Sequence, residues 1–271
     1  MPAALNWSFT PSVLMMLISV AVLYSYFIYL SRKDGHWGTE VRLRHVVWFT
    51  LGLILIFVAL VSPIDSLSNL ALFSAHMVQH IILMLLASAC LLLGLPALWI
   101  KTLYDLPVLK TVLPIITHPL VTLVSFNLVM WVWHVPALYE GALRDVNIHV
   151  LEHMMFLGFG MLMWLPIIHD APPKHVLSYP ARMAYLFACM VSSSLLGAVF
   201  TFAPTIAMPF YGSAPLYFGL SPMTDQQLAG LIMWVPGSMI FFIAILIVFG
   251  AWLNSEDRKA KAQFPPPPYV Q

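Results

Sequence analysis

Two histidine pairs carry the chemistry most open to reading in this chain: His76 and His80 in "AHMVQH", and His149 and His153 in "HVLEH". On a helix, positions i and i+4 share a face, with Cβ atoms about 5–6 Å apart, so the two imidazoles of a pair can reach one ion. Neutral imidazole suits copper, zinc, iron or nickel. One such pair is often accidental. Two, with a fifth histidine at His134 in "WVWH", point to a metal centre with His76, His80, His149 and His153 as first-choice ligands and His134 next. The plain alternative is a set of interfacial histidines that simply meet water and lipid headgroups. Met77 sits inside the first pair, and Met154 and Met155 follow the second. Thioethers favour Cu(I), although most of the 16 methionines must fill gaps in an apolar bundle. His76, His80, His149 and His153 lie where helices begin, and there the helix dipole opposes a cation. Carboxylates are therefore expected in support, and Asp65, Glu152 and Asp225 stand on the same side. A carboxylate can orient a ligating histidine. Each also has a structural reading. Asp65 can cap a helix starting at Ser66, and Asp225 can favour the start of the last span, with Thr224 and Gln227 as a capping box. Glu152 lies next to His153 and so about 100° around a helix from it.

The elements that must position these groups are membrane helices. Of the 271 residues, 61% are hydrophobic and 8% charged, with a mean hydropathy of +0.89. A helix needs about 20 apolar residues to cross a bilayer, and seven spans are expected: 11–30, 45–61, 77–99, 112–134, 149–168, 182–203 and 229–252. The fold class is thus an all-α polytopic membrane protein. Transmembrane β-strands would alternate apolar and polar residues over about ten positions, and these runs do not. The first apolar run lacks a basic stretch before it and a small-residue cleavage pattern after it, so it reads as a retained span. The membrane domain is expected over 1–254, followed by a tail, 255–271, that is charged and then extended in "FPPPPYVQ".

Charge orients the bundle. Eleven of the twelve Lys and Arg fall in segments 31–44, 100–111, 169–182 and the tail, while the alternate loops hold only Arg144. The positive-inside rule puts the N-terminus outside and the C-terminus in the cytoplasm. His76, His80, His134, His149 and His153 then share the outer face, whereas His36, His45, His118, His169 and His175 lie on the inner side. Gly158 and Gly160 read as positions of close helix approach. Cys90 and Cys189 each sit in an apolar run and indicate no disulfide. There is no phosphate-binding loop, no attached-haem motif and no basic face for nucleic acid. Lysine and arginine are absent from mid-span, which argues against a voltage sensor.

Two other function classes fit the histidines. One is a b-type cytochrome, with a histidine from span three and one from span five as axial haem ligands; it leaves their i+4 partners without a role. The other is a metal or proton permease, which the gathering of polar groups at one face disfavours.

The stretches "SPIDSLSNLALFSAHMVQHIILMLL", "LLLGLP", "WVWHVPALYEGALRD", "HVLEHMMFLGFGMLMW" and "DQQLAGLIMWVPG" resemble the CtaG-type cytochrome c oxidase assembly factors of bacteria, over roughly residues 45–250. The resemblance implies a seven-span plasma-membrane protein that helps mature a haem–copper oxidase by copper delivery or insertion; transient copper binding of that kind requires no catalytic turnover. It implies oxidase subunits as partners, with soluble copper chaperones as a further class. It supplies no ligand set of its own.

Overall fold

The computed structural model describes residues 5–33, 41–169 and 176–263. The expected extended tail "FPPPPYVQ", together with His36, Lys174 and His175, lies outside the described residues. Among the described residues the chain is helical, with no strand. Six helices are long and apolar enough to cross a membrane: α1 (Pro11–Lys33), α2 (Leu43–Val61), the continuous run Phe73–Leu93, α10 (Val146–Ile168), α11 (Tyr179–Phe202) and α12 (Pro222–Gln263). A seventh span is made by α7 (Leu109–Ile116) and α8 (Pro119–Trp133), which meet at 67°. The bend has a local cause. A residue before proline is pushed out of the helical region, and His118 accordingly has ψ 131 ahead of Pro119. Proline then starts α8 at its first position.

The expected third span, 77–99, is displaced. Its helix starts at Phe73 and stops at Leu93, because "GLP" at 94–96 breaks it. Ala97–Asp105 is a separate helix, α6. His76 and His80 therefore lie within the first turns of the span and are buried, as are Phe73 and Met77. The run is divided into α4 (Phe73–Ile81), a π-helical turn (Ile82–Ala87) and α5 (Ser88–Leu93). A π turn carries one extra residue and loosens the backbone bonding. Here the freed carbonyls find other partners: Ser88 Oγ donates to Met84 O at 2.5 Å, and Trp164 Nε1 of α10 donates to Leu85 O at 2.9 Å. The extra residue rotates the faces before and after it by about 100°, so the histidines of α4 face the bundle interior while Leu83, Ala87 and Leu91 pack against α2.

Glycine sets the approach of α10 to this span. A Cβ on Gly160 would run into the Met84 carbonyl. Gly158 has open space around its Cβ position, so only one of the two expected close-approach glycines serves that purpose. On the other side of the core, α11 and α12 touch backbone to backbone, where a Cβ on Gly197 would lie 2.7 Å from Gly230 O. Such contacts between small residues are the means by which helices associate in lipid.

Short helices fill the histidine end: α3 (Pro63–Leu70), α9 (Pro136–Arg144) and two 3-10 turns, Pro209–Tyr211 and Ala214–Phe218. At the opposite end α12 continues through the charged segment to Gln263, braced by Lys259–Glu256 and Lys261–Asp257 pairs at helical spacing. At about 1.5 Å per residue its 42 residues exceed the roughly 30 Å of hydrocarbon, so the helix projects from the membrane.

Candidate metal centre

Two mirrored stripes build the site. On α4, Phe73, His76, Met77 and His80 occupy i, i+3, i+4 and i+7, all buried. On α10, His149, Glu152, His153 and Phe156 repeat that spacing, with Glu152 and Phe156 fully buried. Residues so spaced share one face of a helix. The expectation that Glu152 points away is thereby corrected. It lies about 100° from His153, but both fall within the same broad inward arc with His149 between them.

The stripes face each other. Ring centroids lie 4.2 Å apart for His76–His80 and for His149–His153, and 5.3 Å apart for His76–His149. His76, His149, Glu152 and His153 each present one donor atom, and these atoms lie within 4.8 Å of one another. Ligands held at about 2.0–2.2 Å from an ion stand no more than about 4.4 Å apart, so small ring rotations would close this set around one ion. The electrostatics point the same way. Nε2 of His76, His149 and His153 and both carboxylate oxygens of Glu152 are buried without a hydrogen-bond partner. Uncompensated buried polar atoms are costly, and a buried carboxylate most of all. The nearest cation-forming group is His80, whose Nε2 lies 3.6 Å from Glu152 Oε1, too far for a hydrogen bond. Three neutral imidazoles and one carboxylate form a complete donor set for a copper- or zinc-like cation.

Tyr211 and Tyr139, which no spacing pattern connects to the histidines, orient His76. Tyr211 donates its hydroxyl proton to Ser68 O at 2.8 Å. Its oxygen is 2.7 Å from the Tyr139 hydroxyl, which donates to it, and 3.3 Å from His76 Nδ1. With the Tyr211 proton already given to Ser68, His76 must donate from Nδ1, which leaves the Nε2 lone pair facing the cluster. Burial pushes both phenols well above their ordinary value, so they stay protonated donors. The signal in the sequence is faint: two tyrosines in the segments between spans on the histidine side, 72 residues apart.

The other nominated residues take different places. Asp225 has no hydrogen bond to a histidine among the described residues. It reaches across to α4 and accepts from Phe73 N at 2.7 Å and from Ser74 N and Oγ, capping the helix that carries His76 and His80. The expected Thr224–Gln227 capping box is not formed; Ser221 Oγ accepts from Thr224 N instead. Next to Asp225, Gln226 holds the 203–208 segment by accepting from Ala207 N and donating to Thr205 O. Asp65 does not start a helix at Ser66 either. Ser62 caps α3, and Asp65 sits in its first turn, accepting from Gln79 and Asn69, each at 3.1 Å. Burial raises the Asp65 pKa, while its hydrogen bonds from Ser8, Gln79 and Asn69 act the other way. His80 and His134 lie beside the four-donor group, with ring centroids 5.6 Å apart. A cleft of about 350 Å³, lined among others by Val13, Asp65, Asn69, His149 and His153, leads from the flank of α1 and α10 to the group. Cys90 and Cys189 are buried free thiols away from it.

Comparison with known proteins adds relatives whose names assign no function. The chain is 26% identical over 255 residues to uncharacterized proteins of Mycobacterium bovis and Mycobacterium tuberculosis, and 25% identical over 254 residues to one of Mycobacterium leprae. These alignments cover 88%, 88% and 86% of this chain but 38%, 38% and 37% of the relatives, so the chain spans about two fifths of the length of the curated relatives it matches. No solved structure gives a significant match. A family model described as cytochrome c oxidase caa3 assembly factor matches residues 22–255, so the buried histidine–carboxylate cluster belongs to a multi-pass membrane chain that is a member of the caa3-type cytochrome c oxidase assembly factor family.

Proposed function

We propose that this chain binds copper at His76, His149, Glu152 and His153, on the outer face of a bacterial plasma membrane, and passes it to a haem–copper oxidase during assembly. The observation that carries the reading is the convergence of three imidazole nitrogens and one carboxylate, all buried and none with a hydrogen-bond partner. A monovalent copper ion would neutralise the Glu152 charge, which matters in a low-dielectric surrounding. Membership of an oxidase assembly family supports copper as the cargo, since the oxidases concerned are copper enzymes. The flanking cleft supports exchange, because a carrier must load and unload. The outer placement rests on the distribution of Lys and Arg. Binding and release need no catalytic turnover.

The test is copper binding to purified protein, read by metal analysis, competition with a copper chelator and an absorption spectrum. Wild type is expected to hold copper, and His149→Ala/His153→Ala to lose the ion at this centre. Equal binding by the variant, or a Soret band showing haem in place of copper, would overturn the reading.

A further inference from the structure

Beside the four-donor group, one contact is left without a chemical reason. His134 Nδ1 lies 2.6 Å from Met130 O. A contact that short with a carbonyl oxygen requires an N–H, so the proton of a neutral His134 ring sits on Nδ1. Nε2 then carries only a lone pair, and it points at Met77 Sδ from 3.3 Å. A thioether has no proton to offer, so two electron-pair donors face each other. Both residues are buried, Met77 completely. His80 stands one helical turn on from Met77, and both of its ring nitrogens are buried without a hydrogen-bond partner. Phe156 and Phe200 close the surroundings, with ring centroids 6.0 and 6.1 Å from that of His134.

We propose that Met77 Sδ, His134 Nε2 and His80 form a second metal site, selective for Cu(I). Two imidazoles and a thioether make a soft, neutral donor set, and aromatic walls exclude the water that a harder ion would keep. The site rests on the copper reading above for the identity of its ion; its geometry is independent. The two sites adjoin at His80, whose ring centroid is 4.2 Å from that of His76 and whose Nε2 is 3.6 Å from Glu152 Oε1. Cu(I) moves between them by exchange of ligands at His80, with no change of oxidation state. The cleft side then loads the chain and the soft site retains the ion.

The experiment is anaerobic Cu(I) titration of the purified full chain against a chromophoric Cu(I) chelator, with X-ray absorption at the copper edge on the loaded protein. Wild type is expected to bind two Cu(I) per chain, with sulfur among the nearest neighbours of half the copper. Met77→Leu, close in volume and so well tolerated in a packed core, is expected to bind one and to lose the sulfur signal. His149→Ala/His153→Ala is expected to bind one and to keep it. A single Cu(I) in wild type with only nitrogen and oxygen neighbours, unchanged in Met77→Leu, overturns the second site and leaves the first standing. Wild type that binds no copper overturns both.

Discussion

At the scale of single residues, the centre is defined by what lacks a partner. Glu152 is a fully buried carboxyl group without a hydrogen bond, and a charge left unpaired in such a place is costly. Glu152→Gln is therefore expected to melt at or above the wild-type temperature when metal-free, yet to bind copper at least tenfold more weakly. A melting curve and a chelator competition check both halves. Tyr211→Phe takes the acceptor from His76 Nδ1, and affinity is expected to fall about 10–100-fold, as for other supports of metal-bound histidine, with the copper count unchanged. The i, i+4 spacing of the histidines together with the Lys and Arg distribution was enough to place the two pairs at one end of the bundle, where their rings meet. Glu152 was misplaced because it was set against its neighbour His153 and not against His149, from which it stands at i+3 on one face. Asp225 was legible as a helix-terminus residue but not as the cap of α4, because 152 residues separate it from Phe73. Tyr211 has no spacing relation to His76 at all.

At the scale of elements, α4 and α10 must hold their histidine stripes in register. Asp225 fixes the start of α4, and losing a helix cap costs about 0.5–2 kcal/mol. Asp225→Ala is expected to lower thermal stability in detergent by an amount in that range and to weaken copper binding as the first turn of α4 frays; an unchanged melting temperature would remove this role. Gly160→Ala adds a methyl against the Met84 carbonyl. It is expected to destabilise by about 1–3 kcal/mol, the usual cost of overpacking, again read by melting. The existence of the spans follows from hydropathy. Their ends and irregularities do not. The π turn depends on Trp164 and Ser88 satisfying its carbonyls, a tertiary effect with no local mark. The early stop at Leu93 and the bend at His118 do have local marks, in "GLP" and "HP", which a hydropathy window averages away.

At the scale of the whole molecule, the one-sided distribution of Lys and Arg predicts that the histidine end faces outward. A cysteine placed at Arg144 is expected to react with a membrane-impermeant maleimide on intact spheroplasts, and one placed at Lys259 only after lysis; the reverse pattern would invert the bundle. A site at one end of the bundle, flanked by a cleft and built into a member of an oxidase assembly family, combines burial of the donors with access to them. The most direct test of that role is the copper content of the haem–copper oxidase purified from cells whose only copy of this chain is wild type, Glu152→Gln or His149→Ala/His153→Ala, at equal chain levels. With either variant the oxidase is expected to keep its haem and lose more than half of its copper. A full copper complement with both variants would contradict delivery through this centre.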